Sequence, residues 1–233
     1  MRPPLSVIAR RATRVVAIQL ILLGSPLVTW AAEIVFTFTD PKGAPIADVV
    51  VSLIPLDAPA KITSPAEPAL NRSNGPLEIA QSGQEFSMFV TPVVVGSTIS
   101  FPNADKVGHQ VYSLSPAKKF ALPLYKPGSA GTVVFDRPGV VALGCNIHDW
   151  MLAYVVVLET PWFAKSALDG TAVVDVPAGR YRAEVWHPLL AKTATRELTI
   201  ARGAAPAPQS FTLALKPDRR IRRTPAASGG GYK

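Results

Sequence analysis

The chain is poor in the residues that carry most protein chemistry. Its 233 residues include one cysteine, three histidines and three methionines. A single cysteine excludes an intramolecular disulfide framework and any multi-cysteine zinc or iron–sulfur site. Charged residues make up only 17% of the chain and apolar ones 48%, a balance that fills a core and argues against disorder. No apolar run reaches the roughly 20 residues that span a bilayer as a helix. With 23 prolines, an all-helical bundle is excluded. The formal charge of +8 is concentrated at the two ends. Four arginines and no acid lie in the first thirty residues, and six basic residues face one acid from Lys216 onward, so the body between sums to −1. A near-neutral body lacks the clustered Lys/Arg that a nucleic-acid face needs.

The first 31 residues have the order of an export signal. Arg10, Arg11 and Arg14 precede the apolar run Val15 to Leu23, Gly24-Ser25-Pro26 breaks it, and Thr29-Trp30-Ala31 places small residues where a signal peptidase cuts. The expectation is a periplasmic, exported protein with no transmembrane span after cleavage. In an exported chain one unpaired cysteine reads as an intermolecular bridge, a reactive thiol or a metal ligand.

The remainder reads as all-β. Strand-like runs cover Ile34–Thr39, Val49–Leu53, Glu85–Val95, Thr98–Phe101, Gln110–Leu114, Thr132–Phe135, Val140–Leu143, Leu152–Leu158, Ala172–Val176, Tyr181–Trp186, Thr193–Ile200 and Phe211–Leu215. Turn signals such as Gly96-Ser97, Asp136-Arg137-Pro138-Gly139, Asp169-Gly170 and Pro177-Ala178-Gly179 separate them. Short β-branched runs at this spacing predict β-sandwiches. Pro161–Leu168 has room for a short helical turn at most. The stretch 61–81 reads as a linker, and 216–233, which contains R-R-I-R-R and ends S-G-G-G-Y-K, as a disordered basic tail able to contact acidic surfaces.

The chemistry gathers around the lone cysteine. Cys145, His148 and Met151 fall in one short segment, L-G-C-N-I-H-D-W-M, and His109 lies 36 residues upstream in F-P-N-A-D-K-V-G-H-Q-V-Y. Thiolate, two imidazoles and a thioether form the donor set of a mononuclear copper site, in which soft sulfur favours Cu(I) and imidazole suits both oxidation states. Zinc accepts a cysteine and two histidines but binds thioether poorly. A cysteine nucleophile with a histidine base is a further alternative, without an orienting carboxylate in the motif. Taken singly, Cys145 could be a small buried hydrophobe, His148 a loop residue and Met151 core.

These segments resemble the cupredoxin family. The matching residues are the approach strand V-G-S-T-I-S-F, Asn103, His109 followed by Val111, and the Cys145–Met151 loop, whose C-x-x-H-x-x-M spacing is similar to that of amicyanin. The same segments look like exported methylamine-utilisation proteins. The resemblance implies a Greek-key β-sandwich over 82–160. It also implies one copper held by His109, Cys145 and His148 with Met151 axial, and an electron carrier, not an enzyme. Its redox partner protein would be, for example, a periplasmic amine dehydrogenase; copper delivery or sensing without redox turnover is the alternative. Two positions depart from the family: Gln110 stands where many cupredoxins have asparagine, and Asp149 where amicyanin-type loops have proline nearby. A second resemblance rests on T-D-P-K-G-A-P-I-A-D-V-V-V-S-L and L-D-G-T-A-V-V-D-V-P-A-G-R-Y-R-A-E-V, which are similar to a carboxypeptidase-regulatory-like, prealbumin-like β-sandwich. It implies a split domain, 32–60 and 161–215, with the cupredoxin sandwich inserted in it or fused to it. His187 and Met88 are expected to be structural, Trp150 to shield the metal loop by packing, and Lys118, Lys119 and Lys126 to form a solvated face.

Overall fold

The computed structural model describes residues 32–57 and 77–220. The proposed signal, most of the linker and the tail beyond residue 220 lie outside the described residues. The strands in chain order are β1 (Ala32–Thr39), β2 (Val50–Pro55), β3 (Leu77–Glu78), β4 (Gln81–Ser82), β5 (Glu85–Phe86), β6 (Val90–Val94), β7 (Ser97–Pro102), β8 (Val111–Ser115) and β9 (Lys118–Ala121). They continue as β10 (Ala130–Phe135), β11 (Gly139–Cys145), β12 (Leu152–Leu158), β13 (Phe163–Lys165), β14 (Thr171–Val176), β15 (Gly179–Trp186), β16 (Ala194–Ile200) and β17 (Gln209–Thr212). The all-β expectation holds, and no helix among the described residues is long and apolar enough to cross a membrane.

Two sheets enclose each of two main cores. The first pair has strand orders β14-β1-β17 and β13-β2-β15-β16. Alternation along β1 aims Ile34, Phe36 and Phe38 inward, where they meet Leu53, Val174, Ala183, Val185 and Phe211. This core therefore draws on both ends of the described chain. The second pair has orders β10-β7-β3 and β6-β12-β11-β8-β9. Its core takes Ile79, Val93, Ile99, Phe101, Val111, Phe135, Val141, Leu143, Ala153 and Val155 from 79–157 alone. A small third cluster, Val50, Val90 and Val156 with Tyr154 and Trp186 against it, joins the two sandwiches.

Several boundaries differ from the sequence reading. Glu85–Val95 is not one strand: it divides into β5 and β6, because Ser87 turns back to bond Ala80. Pro161–Leu168 holds no helical turn; β13 adds to β2 as a three-residue edge strand, too short for its alternation to show. Residues 77–81 do not belong to the linker, since Leu77–Glu78 pair with Ile99–Ser100 and Gln81 is fully buried. The first residues of the basic tail are ordered. Lys216 N–H donates to the Leu189 carbonyl, and the Arg220 guanidinium lies 3.2 Å from the centroid of the Phe89 ring.

Candidate metal centre

Strand register brings the distant residues together. His109 sits just before β8, and β8 pairs with β11 so that Val111 lies opposite Cys145. Gly144, one residue before the cysteine, is opposite Tyr112, and a side chain there would meet the tyrosine ring at 2.9 Å. Glycine thus lets the two ligand-bearing strands close. After Cys145 the chain turns at once, and Met151 N–H donates to the His148 carbonyl at 3.0 Å, folding the loop back on itself. A second hold on His109 comes from Tyr125: each donates its backbone N–H to the other's carbonyl, at 3.2 and 3.0 Å.

His109, Cys145 and His148 are all buried, with donor atoms within 4.8 Å of one another. The Cys145 Sγ lies 3.7 Å from His109 Nδ1 and 3.8 Å from His148 Nδ1. The thiol proton can go to only one of the two nitrogens, and the other approach as a hydrogen bond needs an Nδ1–H donated to sulfur, a weak acceptor. An ion about 2.0–2.1 Å from nitrogen and about 2.3 Å from sulfur would separate such donors by roughly 3.8 Å in a trigonal plane. The donor set and its spacing therefore fit one mononuclear ion. His109 is fully buried, whereas His148 keeps 8% of its surface exposed, so His148 is the histidine nearer solvent. Met151 is also buried, at 2% exposure, in the same loop.

Asp105 is the residue that the sequence reading missed. Its Oδ2 accepts the His109 Nε2–H at 2.7 Å. A carboxylate only accepts, so this bond places the proton on Nε2 and leaves Nδ1 free to face the sulfur. Burial pushes the Asp105 carboxyl up, but N–H bonds from Gln84 and Gly83 and the bond and charge of His109 outweigh it and hold the group below its ordinary range. The only sequence signal was a carboxylate four residues before the histidine. Asn103 builds that turn: its Oδ1 accepts Asp105 N–H and its amide donates to the Val107 carbonyl. Burial pushes the Tyr125 phenol up to about 12, partly offset by its bond to Gln81.

The departures from the cupredoxin pattern now have local meaning. Gln110 accepts a 2.8 Å bond from the Asn146 amide and so ties the His109 loop to the Cys145 loop. Asp149 is exposed within the loop. Trp150 packs its ring 5.2 Å from the His148 ring. His187 lies outside the cluster, its Nδ1 accepting Leu189 N–H. Lys118 pairs with Asp136 on the surface.

No family model matches the chain, and no curated protein matches it. Solved structures resemble part of it. A reduced amicyanin variant is 23% identical, covering 38% of this chain and 87% of its own, with a TM-score of 0.34. A purple cupredoxin from Nitrosopumilus maritimus is 24% identical over 35% of this chain and 99% of its own, with a TM-score of 0.32. A copper-containing nitrite reductase from Thermus scotoductus is 24% identical over 37% of this chain, with a TM-score of 0.35. This chain spans only 23% of that reductase.

Proposed function

We propose that the protein is an exported electron carrier with one type 1 copper, and that the sandwich over 77–160 is a cupredoxin domain. The observation that carries this reading is the buried cysteine whose sulfur faces the Nδ1 atoms of two histidines at 3.7 and 3.8 Å. Cys145 as thiolate and His109 and His148 as neutral imidazoles would hold the ion, with Met151 supplying a weak thioether. A bound copper supplies one-electron chemistry between Cu(II) and Cu(I).

The chain's own residues do the rest. Asp105 fixes the tautomer and ring of His109. The Gln110–Asn146 bond holds the two loops at one separation. Burial of all three donors keeps water from the site and resists ligand rearrangement, which lowers the reorganisation that each electron transfer must overcome. His148, the one histidine donor that keeps any surface, 8%, is the edge at which a redox partner protein would approach. The second sandwich, built from 32–57 and 161–215, is proposed as a carboxypeptidase-regulatory-like host that carries the copper domain, and an amine dehydrogenase is one class of partner.

Copper delivery uses the same donors but needs a thiolate that a partner can reach, and Cys145 is only 3% exposed. Metal analysis of protein isolated from its native compartment should give one copper per chain. Cys145→Ser should abolish stoichiometric copper retention. Protein that carries zinc, or a serine variant that retains copper like the wild type, contradicts the reading.

A further inference from the structure

One two-residue turn touches the supports of both histidines. β4 and β5 pair Gln81 with Phe86 and Ser82 with Glu85, so Gly83 and Gln84 form the turn. Both have positive φ, +64° and +60°, as a type I′ hairpin requires. Glycine adopts this conformation freely, but glutamine bears a steric cost there. The strained turn aims three backbone groups at the site. Gly83 N–H donates to Asp105 Oδ1 at 2.6 Å and Gln84 N–H to Oδ2 at 2.9 Å. In the other direction, the Gln84 carbonyl accepts the Trp150 indole N–H at 3.0 Å. Asp105 holds His109, and Trp150 packs on His148. At the base of the hairpin, the fully buried Gln81 accepts the Tyr125 hydroxyl at 2.5 Å, and Tyr125 pairs its backbone with His109.

We propose that the hairpin 81–86 is a clasp that sets the two imidazoles together, with Gln84 as the positioning residue at its tip. The effect on copper rests on the electron-carrier reading; the mechanical coupling of the two loops is a property of the metal-free chain. In its left-handed position beside the site Gln84 has both its N–H and its carbonyl engaged, one toward each histidine's support.

The decisive comparison is Gln84→Gly with Gln84→Pro. Glycine keeps both backbone groups and relieves the steric cost; proline removes the N–H and forbids positive φ. In nitrogen-resolved NMR of the metal-free protein, Gln84→Pro should shift the ring resonances of both His109 and His148, while Gln84→Gly shifts neither. Proline shifts confined to His109, or absent, would overturn the clasp. Where Gln84→Pro fails to fold, Asp105→Ala serves instead: freeing the turn from the His109 loop should speed solvent exchange of the Trp150 indole proton about five-fold or more. An unchanged indole overturns the proposal. In copper-loaded protein, Gln84→Pro should lose copper about ten-fold faster and Gln84→Gly within about two-fold of wild type. Should the wild type bind no copper, the electron-carrier reading fails while the metal-free arm still decides the clasp.

Discussion

The two sandwiches bury different things. The core built from β1, β2, β14, β15, β16 and β17 is aliphatic and aromatic, with Phe36, Phe38 and Phe211 in mutual ring contact. Its buried polar groups serve the backbone: Ser166, for instance, accepts Val49 N–H and donates to the Ile46 carbonyl. The other sandwich buries Gln81, Asn103, His109 and His148 at one end. Buried polar groups are costly unless bonded, and there the bonds form a network converging on three metal-type donors. The contrast separates a region that holds itself together from one that holds an arrangement of side chains ready for a ligand.

Four predictions test this contrast. The largest effect belongs to His109→Ala, which should weaken copper binding by more than about 100-fold, measured by competition with a chelator. Near-normal affinity would make the polar end a structural network only. Next, Phe38→Ala should cost about 3–5 kcal/mol of stability in urea unfolding while leaving the copper spectrum of the folded protein unchanged. A spectral shift would show that the two regions are not separate. Third is an acid response in the self-supporting region. Burial pushes His187 below its usual 6.5, reinforced by Arg220 and opposed by Asp48 and Asp218. The unfolded chain then binds the proton more readily, so the stabilising contribution is full above pH 6.5 and is lost as pH falls below it. Metal-free wild type should therefore lose more stability between pH 7.5 and 5.5 than His187→Asn, and equal losses would remove the effect. The smallest change is Gln110→Ala, which should cost roughly 0.5–1.5 kcal/mol and broaden the distribution of copper environments in EPR. An unchanged line shape would leave the cross-loop bond without a role at the metal.

The sequence made the donors legible because they are rare: a single cysteine with histidine and methionine at fixed spacing has few other readings. Most strands were legible from alternation and turn residues, as with Leu152–Leu158, which matches β12 residue for residue. What stayed hidden was carried by contacts without a local pattern. Asp105 acts through its position beside His109 and the turn at Gly83-Gln84, 21–22 residues away. β3, β4 and β13 are two or three residues long, too short to show a period, and are defined by their partners. The ordering of Lys216–Arg220 depends on a ring and a carbonyl supplied by distant segments, while its composition reads as tail.

The most direct test of the proposed copper centre is the joint optical and EPR spectrum of protein loaded with one equivalent of Cu(II). A sulfur ligand between two imidazoles predicts an intense visible thiolate-to-copper band and a narrow copper hyperfine splitting, both absent in Cys145→Ser. A colourless protein, or a broad splitting indistinguishable from that of the serine variant, would contradict the account.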